Sequence, residues 1–336
     1  MMLKLIGASL LSFAFSFILA IPFINLLFKL KFKDSAKLSI DFKGHPTLFN
    51  QLHGGKVGTP TGGGILIIVS SAIFTALIYV FTKFHFNDTS FILYFSMVSF
   101  GLLGFYDDLR KFFGKSAPGA LKMLRLPHKL ALQIILGLVI GFLLFTRIGL
   151  HTLWLPLLGI FDLGYLYIPF AAIVVIATTN AFNITDGLDG LASGLLMIAL
   201  IPFWYLSSSS ALSGDIGLFI AVIIGSLAAF LYFNIFPARV FMGDTGALAL
   251  GAMLATIALL SGHPVVLIVI GGIFVVEAVS SLLQWGSMIT RNKKIFLIAP
   301  IHHHFEALGW PETKVTMRFW LAGIYLALLG IFVSLL

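Results

Sequence analysis

The chain has 336 residues, of which 59% are hydrophobic and only 10% are charged, and its mean hydropathy is +1.06. A water-soluble domain carries about 25% charged residues, so this chain has too few polar side chains to cover itself in water. It contains no cysteine, which excludes disulfides, thiolate metal sites and cysteine nucleophiles. The net charge of +8 does not indicate nucleic-acid binding, because the basic residues cluster in short segments between apolar runs, as in multispanning proteins.

Apolar runs in the chain have the length, roughly 20 residues, that a helix needs to cross a bilayer. They predict an all-α polytopic membrane protein with about ten transmembrane helices and a single membrane domain, residues 1–336. The first run is too long for the apolar part of a signal peptide, so we interpret it as a retained span. The predicted spans are residues 4–28, 62–82, 90–106, 129–147, 165–182, 188–206, 215–235, 245–261, 264–289 and 317–336.

The basic residues predict the orientation of these spans. If both termini are extracytoplasmic, 18 of the 21 lysines and arginines lie in or beside cytoplasmic loops, and only Lys4, Lys83 and Arg147 do not. The opposite orientation contradicts the positive-inside rule. The predicted cytoplasmic loops are residues 29–61, 107–128, 183–187, 236–244 and 290–316.

The conspicuous polar motifs all fall on this predicted cytoplasmic side, although they are spread along most of the chain. Their return to one membrane face predicts a single composite site. A transporter would more often carry ionisable groups near the middle of the bilayer, on interrupted helices.

Asp107 and Asp108 stand at the predicted end of the third span. They are either two solvated carboxylates with Arg110 and Lys111 as partners, or a functional pair. Carboxylates near a helix C-terminus oppose the helix dipole, and adjacent helical residues point about 100° apart. One aspartate can therefore face a metal ion or a substrate while the other orients a neighbour.

Asn180, Asn183, Asp186 and Asp189 recur every third residue between the fifth and sixth spans. On a helical turn this spacing keeps polar groups close together. Capping of the sixth span by Thr185 or Asp186 would explain part of the pattern. It does not explain so many polar groups between two apolar runs, so the pattern favours a functional role.

Asp244 follows Asn234 and stands immediately before the eighth span. It either caps that helix or provides a ligand for magnesium. Magnesium prefers oxygen ligands and takes one or two carboxylates together with substrate phosphates.

His302, His303 and His304 are adjacent in the last predicted cytoplasmic loop. Three imidazoles suggest zinc, but adjacent residues seldom all turn towards one ion. Phosphate binding or acid–base chemistry fits them as well.

Two weaker signals lie elsewhere in the chain. The glycine-rich segment that begins at Lys56 could approach phosphate, although it does not match the phosphate-loop pattern. Glu277 and Gln284 share one face of the ninth span with two serines. A membrane-embedded acid usually marks function, and the alternative is an interhelical hydrogen-bond seam.

Several of these segments resemble the signatures of the polyprenyl-phosphate N-acetylhexosamine-1-phosphate transferases. They are residues 104–108, 178–190 and 241–246. Residues 299–306 and 309–312 resemble the phospho-N-acetylmuramoyl-pentapeptide transferase branch of that family, as do 58–61 and 272–284. The resemblance extends from about residue 50 to residue 336.

The resemblance implies a reaction and its participants. The branch transfers phospho-MurNAc-pentapeptide from UDP-MurNAc-pentapeptide to undecaprenyl phosphate, giving lipid I and UMP, and it requires magnesium. It also implies a multi-pass protein of the bacterial plasma membrane, a cytoplasmic active site and a homodimer. The nearest alternative is a sister transferase that uses another UDP-hexosamine, and a remote one is a transporter or flippase that uses Glu277.

The resemblance also implies roles for individual residues. Asp244 would ligate magnesium, and Asp107, Asp108 and Asp189 are further candidate ligands. Asp107 would accept the proton of the lipid phosphate or steer that phosphate, and Asp108 would support the site. The implied catalytic residues are Asp107, Asp108, Asp244 and His303. The implied substrate-binding residues are Lys56, Thr61, Lys111, Lys129, Asn180, Asn183, Asp186, Asp189, Asn234, Phe241 (stacked on uracil), Gly243, Gln284 (on uridine), His302 and His304.

Overall fold

A computed structural model describes residues 2–30, 32, 56, 58–113, 126–208 and 212–336 of the chain. These residues form a helical bundle with one small hairpin. The helices are α1 (Met2–Lys29), α2 (Gly63–Phe81), α3 (Asp88–Phe113), α4 (Leu126–Leu143, continued by a π-helical turn Leu144–Ile148), α5 (Tyr167–Thr185), α6 (Leu191–Ser207), α7 (Ser213–Asn234), α8 (Gly243–Leu260), α9 (Leu267–Ile270), α10 (Gly272–Arg291), α11 (Ile301–Ala307) and α12 (Glu312–Ser334).

The predicted fold class, an all-α polytopic membrane protein, is confirmed. Within the described ranges, nine helices are long and apolar enough to cross a membrane. The remaining predicted span, 188–206, corresponds to α6, an apolar helix of 17 residues.

Two predicted spans differ from the observed helices in ways that affect the candidate site or the continuity of a span. The span predicted at 264–289 is not continuous: the short helix α9 ends at Ile270, and α10 begins after Gly271 and continues to Arg291. The third span was predicted to end at residue 106, but α3 continues to Phe113. Asp107 and Asp108 therefore lie within a helix and not at its end, because the following residues extend the helical turns beyond the apolar run.

Helices also enter the predicted loops, since polar residues can continue an apolar helix into water. Loop 183–187 overlaps α5, and loop 236–244 overlaps α8. Loop 290–316 contains α11 and both flanking helix ends, whereas most of loop 29–61 lies outside the described residues.

An antiparallel hairpin that the sequence did not predict joins α4 to α5. Its strands are β1 (Thr152–Leu155) and β2 (Gly159–Asp162), with Thr152 opposite Asp162. His151 Nδ1 lies 2.9 Å from Asp162 Oδ1, at the end of β2, in a hydrogen-bond contact. The strands are too short, and their burial too irregular, for a period of two to be visible in the sequence.

Helix α8 is the centre of the bundle. Every residue from Thr245 to Leu260 is buried, because helices α2, α3 and α5 all pack against this one element. Small residues make this close packing possible, as in many membrane helix interfaces. A Cβ atom added to Gly64 would lie 2.1 Å from Cα of Gly246, and one added to Gly251 would lie 2.7 Å from Cα of Thr179.

Serine hydroxyl groups join α1, α2 and α7 in the bundle interior. Ser16 Oγ lies within hydrogen-bond distance of both Ser70 Oγ, at 2.9 Å, and Ser226 Oγ, at 3.0 Å. Ser12 donates to the carbonyl oxygen of Val222 at 2.8 Å. Such bonds stabilise helix association where the surroundings supply no hydrophobic driving force.

Candidate active site

The first turn of α8 is held by a carboxylate from α3. One oxygen of Asp108 accepts a hydrogen bond from the backbone N–H of Asp244 at 3.1 Å. The other accepts the backbone N–H of Thr245 at 2.9 Å and its hydroxyl group at 2.6 Å. Asp108 is 1% exposed, and the unpaired N–H groups at a helix N-terminus favour an anion there. Asp108 therefore caps α8 from a neighbouring helix, whereas Asp244, which the sequence offered as a cap, makes no side-chain cap bond.

Glycines set the distance between α3 and α8 at this level. A Cβ atom on Gly104 would lie 2.1 Å from the carbonyl oxygen of Asp244. Gly243, which has a φ of 77°, lies so close that a Cβ atom there would be 2.8 Å from both Asp108 Oδ2 and Thr61 Cγ2. The absence of side chains at both positions brings the paired aspartates of α3 against the start of α8.

Two lysines form ion pairs with the acidic groups at this crossing. Lys111 Nζ lies 2.9 Å from Asp244 Oδ2 and 3.9 Å from Asp108 Oδ1. Lys129 Nζ lies 2.6 Å from Asp107 Oδ2 and 3.8 Å from Asp244 Oδ2. Asp107 and Asp244 therefore share one cation, although 137 positions separate them in the sequence. Of the two partners suggested for the aspartate pair, Lys111 is confirmed, and the side chain of Arg110 lies over the ring of Tyr106.

Asp186 ends α5 close to this cluster. Burial, followed by the carboxylates of Asp244, Asp108 and Asp189, raises the pKa of Asp186 to about 7. The residue is the C-cap of α5 and not the N-cap of α6, where Gly190 stands. The capping alternative is therefore wrong, and the carboxylate belongs to a region of concentrated negative charge.

A second ion-pair cluster connects three distant segments. Lys56 Nζ lies 2.7 Å from Asp189 Oδ1 and 2.5 Å from Glu312 Oε1. The same Glu312 oxygen accepts the backbone N–H of Asp189 at 2.6 Å, and Asp189 Oδ2 accepts that of Ala238 at 2.9 Å. Both oxygens of Asp189 are thus engaged within the protein, and the cluster ties the start of α12 to the loop before α6.

The loop between α7 and α8 is fixed by Asn234. Its amide group donates to the carbonyl oxygen of Val240 at 3.0 Å, and its oxygen accepts the backbone N–H of Gly190 at 3.2 Å. Phe241, at the end of this loop, forms a parallel β-bridge with Thr61, and the ammonium group of Lys56 lies 5.9 Å from its ring centroid. Asn234 thereby holds the segment that carries Phe241.

Two of the three adjacent histidines face the loop after α5. His302 Nδ1 lies 2.9 Å from Glu277 Oε2, and His303 Nδ1 lies 2.7 Å from Glu306 Oε2. A Cβ atom added to Gly187 would lie 2.4 Å from His302 Nε2 and 3.4 Å from His303 Nε2. Both Nε2 atoms therefore approach the backbone next to Asp186.

Glu277 and His302 form a fully buried pair. Both residues are 0% exposed, and neither His302 Nε2 nor Glu277 Oε1 has a hydrogen-bond partner within the described part of the chain. The contact fixes which nitrogen of His302 faces the site, because Nδ1 is engaged by the carboxylate. Of the two alternatives for Glu277, the interhelical hydrogen bond is therefore observed, and this bond orients His302, a candidate site residue.

His304 and Gln284 are directed to a different place. His304 Nδ1 accepts the backbone N–H of Leu297 at 3.2 Å. Gln284 accepts the N–H groups of Ile295 and Phe296, both at 3.0 Å, and donates to the carbonyl oxygen of Phe296 at 3.2 Å. These side chains hold the segment between α10 and α11, so the structure does not bring them to the aspartates by any direct contact.

Asn180 and Asn183 lie on the last turns of α5. The amide group of Asn180 donates to Gln133 Oε1 at 2.9 Å and to the carbonyl oxygen of Ile176 at 2.8 Å, which ties α5 to α4. Asn183 is half-buried. Both are on the same end of the bundle as the cluster formed by Asp107, Asp244 and the lysines.

Residues that sequence reasoning did not assign also build the site. Thr245 and Glu312 each contact a candidate residue directly, and Gly104 determines the helix spacing. Gly104 and Glu312 lie inside segments that carry the family resemblance, so a signal for them was present. Gln133 had no such signal.

The donor set has a composition that suits magnesium. Within the described residues, no three acidic or histidine side chains are already grouped as a metal site. Magnesium needs only one or two carboxylates in addition to substrate phosphates. Asp107 and Asp244 both lie within 4 Å of one lysine ammonium group, so their oxygens flank a position that a cation already prefers. Asp108 and Asp189 are less suitable ligands because their oxygens accept bonds within the protein.

Comparison with known proteins identifies the class. The model of the family described as Glycosyl transferase family 4 matches residues 90–262, which contain all but the first two residues of α3, the whole of α4 to α8 and the candidate-site aspartates described above.

Relatives identify the branch within that class. A phospho-N-acetylmuramoyl-pentapeptide-transferase of Clostridium botulinum (strain Alaska E43 / Type E3) is 38% identical over 325 residues, covering 97% of this chain and 95% of the relative. Proteins of the same name from Desulforapulum autotrophicum and Thermodesulfovibrio yellowstonii are 41% and 40% identical. They are aligned over 84% and 96% of this chain and 81% and 91% of their own lengths. The chain therefore belongs to the phospho-N-acetylmuramoyl-pentapeptide-transferase family, and the resemblance found in the sequence is confirmed.

Proposed function

We propose that this protein transfers phospho-MurNAc-pentapeptide from UDP-MurNAc-pentapeptide to undecaprenyl phosphate, forming lipid I and UMP for peptidoglycan synthesis. Membership of the family supports this reaction. The single structural observation that supports it best is the shared cation of Asp107 and Asp244, Lys129, with Lys111 beside it. Acidic groups for a metal ion and basic groups for phosphates thus occur in one place, which is what a reaction between two phosphate compounds requires.

In the proposed reaction, a phosphate oxygen of the lipid attacks the phosphorus atom that bears the sugar. The bond from that phosphorus to the oxygen bridging the two phosphates of UDP breaks, and the bridging oxygen leaves with UMP. Both reactants are anionic, so catalysis consists largely of positioning and charge stabilisation. Lys111 and Lys129 have the charge and the location for this task, each exchanging part of its contact with an aspartate for a contact with phosphate.

Magnesium is the cofactor that we propose for the site. Asp244 would hold it, with Asp107 as the second candidate ligand. When bound, it would neutralise negative charge on the diphosphate of the nucleotide substrate. Asp108 would act indirectly, by keeping the backbone at Asp244 in position through its three hydrogen bonds.

Asp107 can act in two ways, as a general base or as a steering group. A phosphomonoester has its second pKa near 6, so the lipid phosphate is largely deprotonated at neutral pH and needs little help from a base. The 2.6 Å contact with Lys129 favours steering, because Asp107 then orients the ammonium group that meets the lipid phosphate. For steering, Asp107→Asn should lower kcat without altering the shape of the pH–rate profile. Loss of the acidic limb of that profile would instead identify a general base.

The nucleotide would lie between the aspartate cluster and the histidines. His302 and His303 direct Nε2 atoms towards Gly187, where each could meet a phosphate or ribose group. Phe241 presents an aromatic ring on which uracil could stack, with Lys56 beside it. Gln284, proposed from the resemblance as a uridine contact, would have to release its present backbone bonds to serve in this way.

The site would face the cytoplasm of a bacterium, in a multi-pass protein of the plasma membrane. The distribution of 18 of the 21 basic residues supports this orientation. A homodimer remains part of the proposal from the resemblance, and the mass of the protein in detergent tests it separately.

The decisive experiment measures UMP release by the purified full-length chain with UDP-MurNAc-pentapeptide and undecaprenyl phosphate, with and without magnesium. Asp244→Ala should reduce turnover by at least about 100-fold, and excess chelator should do the same. Asp162→Asn, which changes an exposed carboxylate on the hairpin, is the matched control and should leave turnover unchanged. Substantial turnover by Asp244→Ala would remove its assignment as metal ligand. Preference for UDP-GlcNAc as donor would identify the sister transferase, and substrate movement without UMP release would identify a transporter.

A further inference from the structure

Three basic residues stand apart from the predicted cytoplasmic group, and the structure separates them into two kinds. Arg147 pairs with Asp88 at 3.0 Å. Lys4 and Lys83 are both exposed and form no ion pair with any residue in the described ranges. Asp215 also lies at this end of the bundle, outside the hairpin. It accepts a hydrogen bond from Asn87 at 2.7 Å. Among the described residues, neither lysine therefore has a carboxylate within ion-pair distance.

Both lysines line the same cleft. The cleft has a volume of about 800 Å³, within the range of roughly 300–1,000 Å³ that is usual for small-molecule sites. It lies between the N-terminal parts of α1 and α7 and the end of α2. Apart from the lysines and Thr82, its lining is apolar, with Leu11 and Phe74 among the lining residues.

The cleft lies at the opposite end of the bundle from the candidate active site. Helix α2 begins beside the aspartate cluster, where Gly64 packs on Gly246, and ends at Phe81 next to the cleft. A helix of this length, 19 residues, spans about 28 Å, which is close to the thickness of the hydrocarbon core. The two lysines thus lie at a membrane–water boundary, and the apolar walls extend from them into the bundle.

We infer that this cleft binds an acidic phospholipid, with its phosphate between Lys4 and Lys83 and an acyl chain along the apolar wall. Each part of the lipid meets a matching surface: the cations meet the anionic headgroup, and the apolar lining meets the chain. A lysine near a bilayer surface keeps its ammonium group at the headgroup level while its methylene groups cover apolar surface. This site is distinct from the substrate sites, and the inference does not depend on the proposed reaction.

Gly7 offers a direct test of the wall of the cleft. A Cβ atom added there would meet no atom within 4 Å, so a larger side chain can project into open space without strain. Gly7→Leu should therefore fill part of the cleft and leave the bundle intact.

The experiment measures the dissociation constant of the first bound lipid by native mass spectrometry of the full chain in detergent, with phosphatidylglycerol and phosphatidylcholine as probes. One lysine near an anionic headgroup contributes about fivefold in affinity. Lys4→Gln combined with Lys83→Gln should thus weaken phosphatidylglycerol binding about 25-fold, and leave phosphatidylcholine binding within about twofold. Gly7→Leu should weaken both lipids. Lys293→Gln combined with Lys294→Gln removes the same charge from exposed lysines elsewhere and is the matched control.

Acetylation of lysines by a water-soluble reagent gives a second, residue-resolved readout on the wild-type chain. Phosphatidylglycerol should slow acetylation of Lys4 and Lys83 relative to phosphatidylcholine, whereas free glycerol phosphate should not. Three results would overturn the inference. They are equal loss of affinity in the control, unchanged affinity in the Lys4 and Lys83 double variant, and protection by glycerol phosphate alone.

Discussion

Replacement of Gly104 by alanine tests whether the spacing of α3 and α8 controls the site. The added Cβ would lie 2.1 Å from the carbonyl oxygen of Asp244 and 2.7 Å from the backbone nitrogen of Thr245. Both obstacles are backbone atoms, so no side chain can turn aside to make room. The helices must separate by about 1 Å to restore ordinary contact, and overpacking of this kind costs about 1–3 kcal/mol.

The expected effect on activity is larger than the effect on stability. Alanine in place of a helical glycine recovers about 0.5–1 kcal/mol of conformational entropy, which offsets part of the overpacking cost. Displacement of catalytic groups by about 1 Å can lower a rate about 100-fold. Gly104→Ala should therefore fold, with a modestly lower melting temperature in detergent, and release UMP about 100 times more slowly.

Gly101 provides the matched control, one turn earlier on the same helix. A Cβ atom there would meet Cδ1 of Ile68 at 2.9 Å, the end of a flexible side chain, and would stay 3.7 Å from the backbone at Thr245. Gly101→Ala should keep turnover within about threefold of wild type. Wild-type turnover by Gly104→Ala, or equal loss in both variants, would refute the reasoning.

Three further predictions concern the groups around this crossing. Asp108→Asn would place an amide N–H against hydrogen-bond donors on α8, and a hydrogen bond to a charged group contributes about 1.5–3 kcal/mol. This variant should therefore lower the melting temperature more than Thr245→Val, which removes a single donor. Equal shifts in melting temperature would contradict the capping role of Asp108. The pKa of Asp186 is raised to about 7 in the folded protein, so the native state binds the proton more tightly than the unfolded chain does. With a chelator present, the free energy of unfolding should then fall as the pH rises from about 4 to about 7. Thermal melts of Asp186→Asn over the same pH range should lack this fall. An unchanged dependence of stability on pH in the variant would exclude Asp186 as its source. Glu312→Gln removes one of the two carboxylates on Lys56 and should raise KM for the nucleotide substrate more than it lowers kcat, whereas a pure kcat effect would place the Lys56 cluster outside substrate binding.

Much of the fold could be predicted because membrane helices are constrained by composition alone. A run of about 20 apolar residues must form a helix in a bilayer, since no other local structure satisfies its backbone groups there. The limits of the helices, however, could not be predicted from hydrophobicity alone. The apolar run of α3 stops at residue 106, yet its backbone bonds continue to Phe113. The break at Gly271 is not marked by any interruption in hydrophobicity.

The proximity of the candidate residues could be predicted from the sequence better than their contacts. Motif spacing and family resemblance selected Asp107, Asp108 and Asp244, and all three lie together at one helix crossing. The different contacts of the three aspartates could not be predicted from the sequence. Only the packing shows that Asp108 is bonded to the backbone of α8, while Asp107 and Asp244 face lysines.

The sequence by itself determined the membrane class, the family and most of the polar residues of the candidate site, because each depends on composition or on short contiguous motifs. Tertiary structure alone decided which carboxylate meets which cation. Contacts such as those of Lys129 with Asp107 and of Lys56 with Glu312 join segments that only helix packing brings together. That packing depends on close approach at Gly64 and Gly104, where the absence of a side chain has a consequence only when the opposing helix is in place.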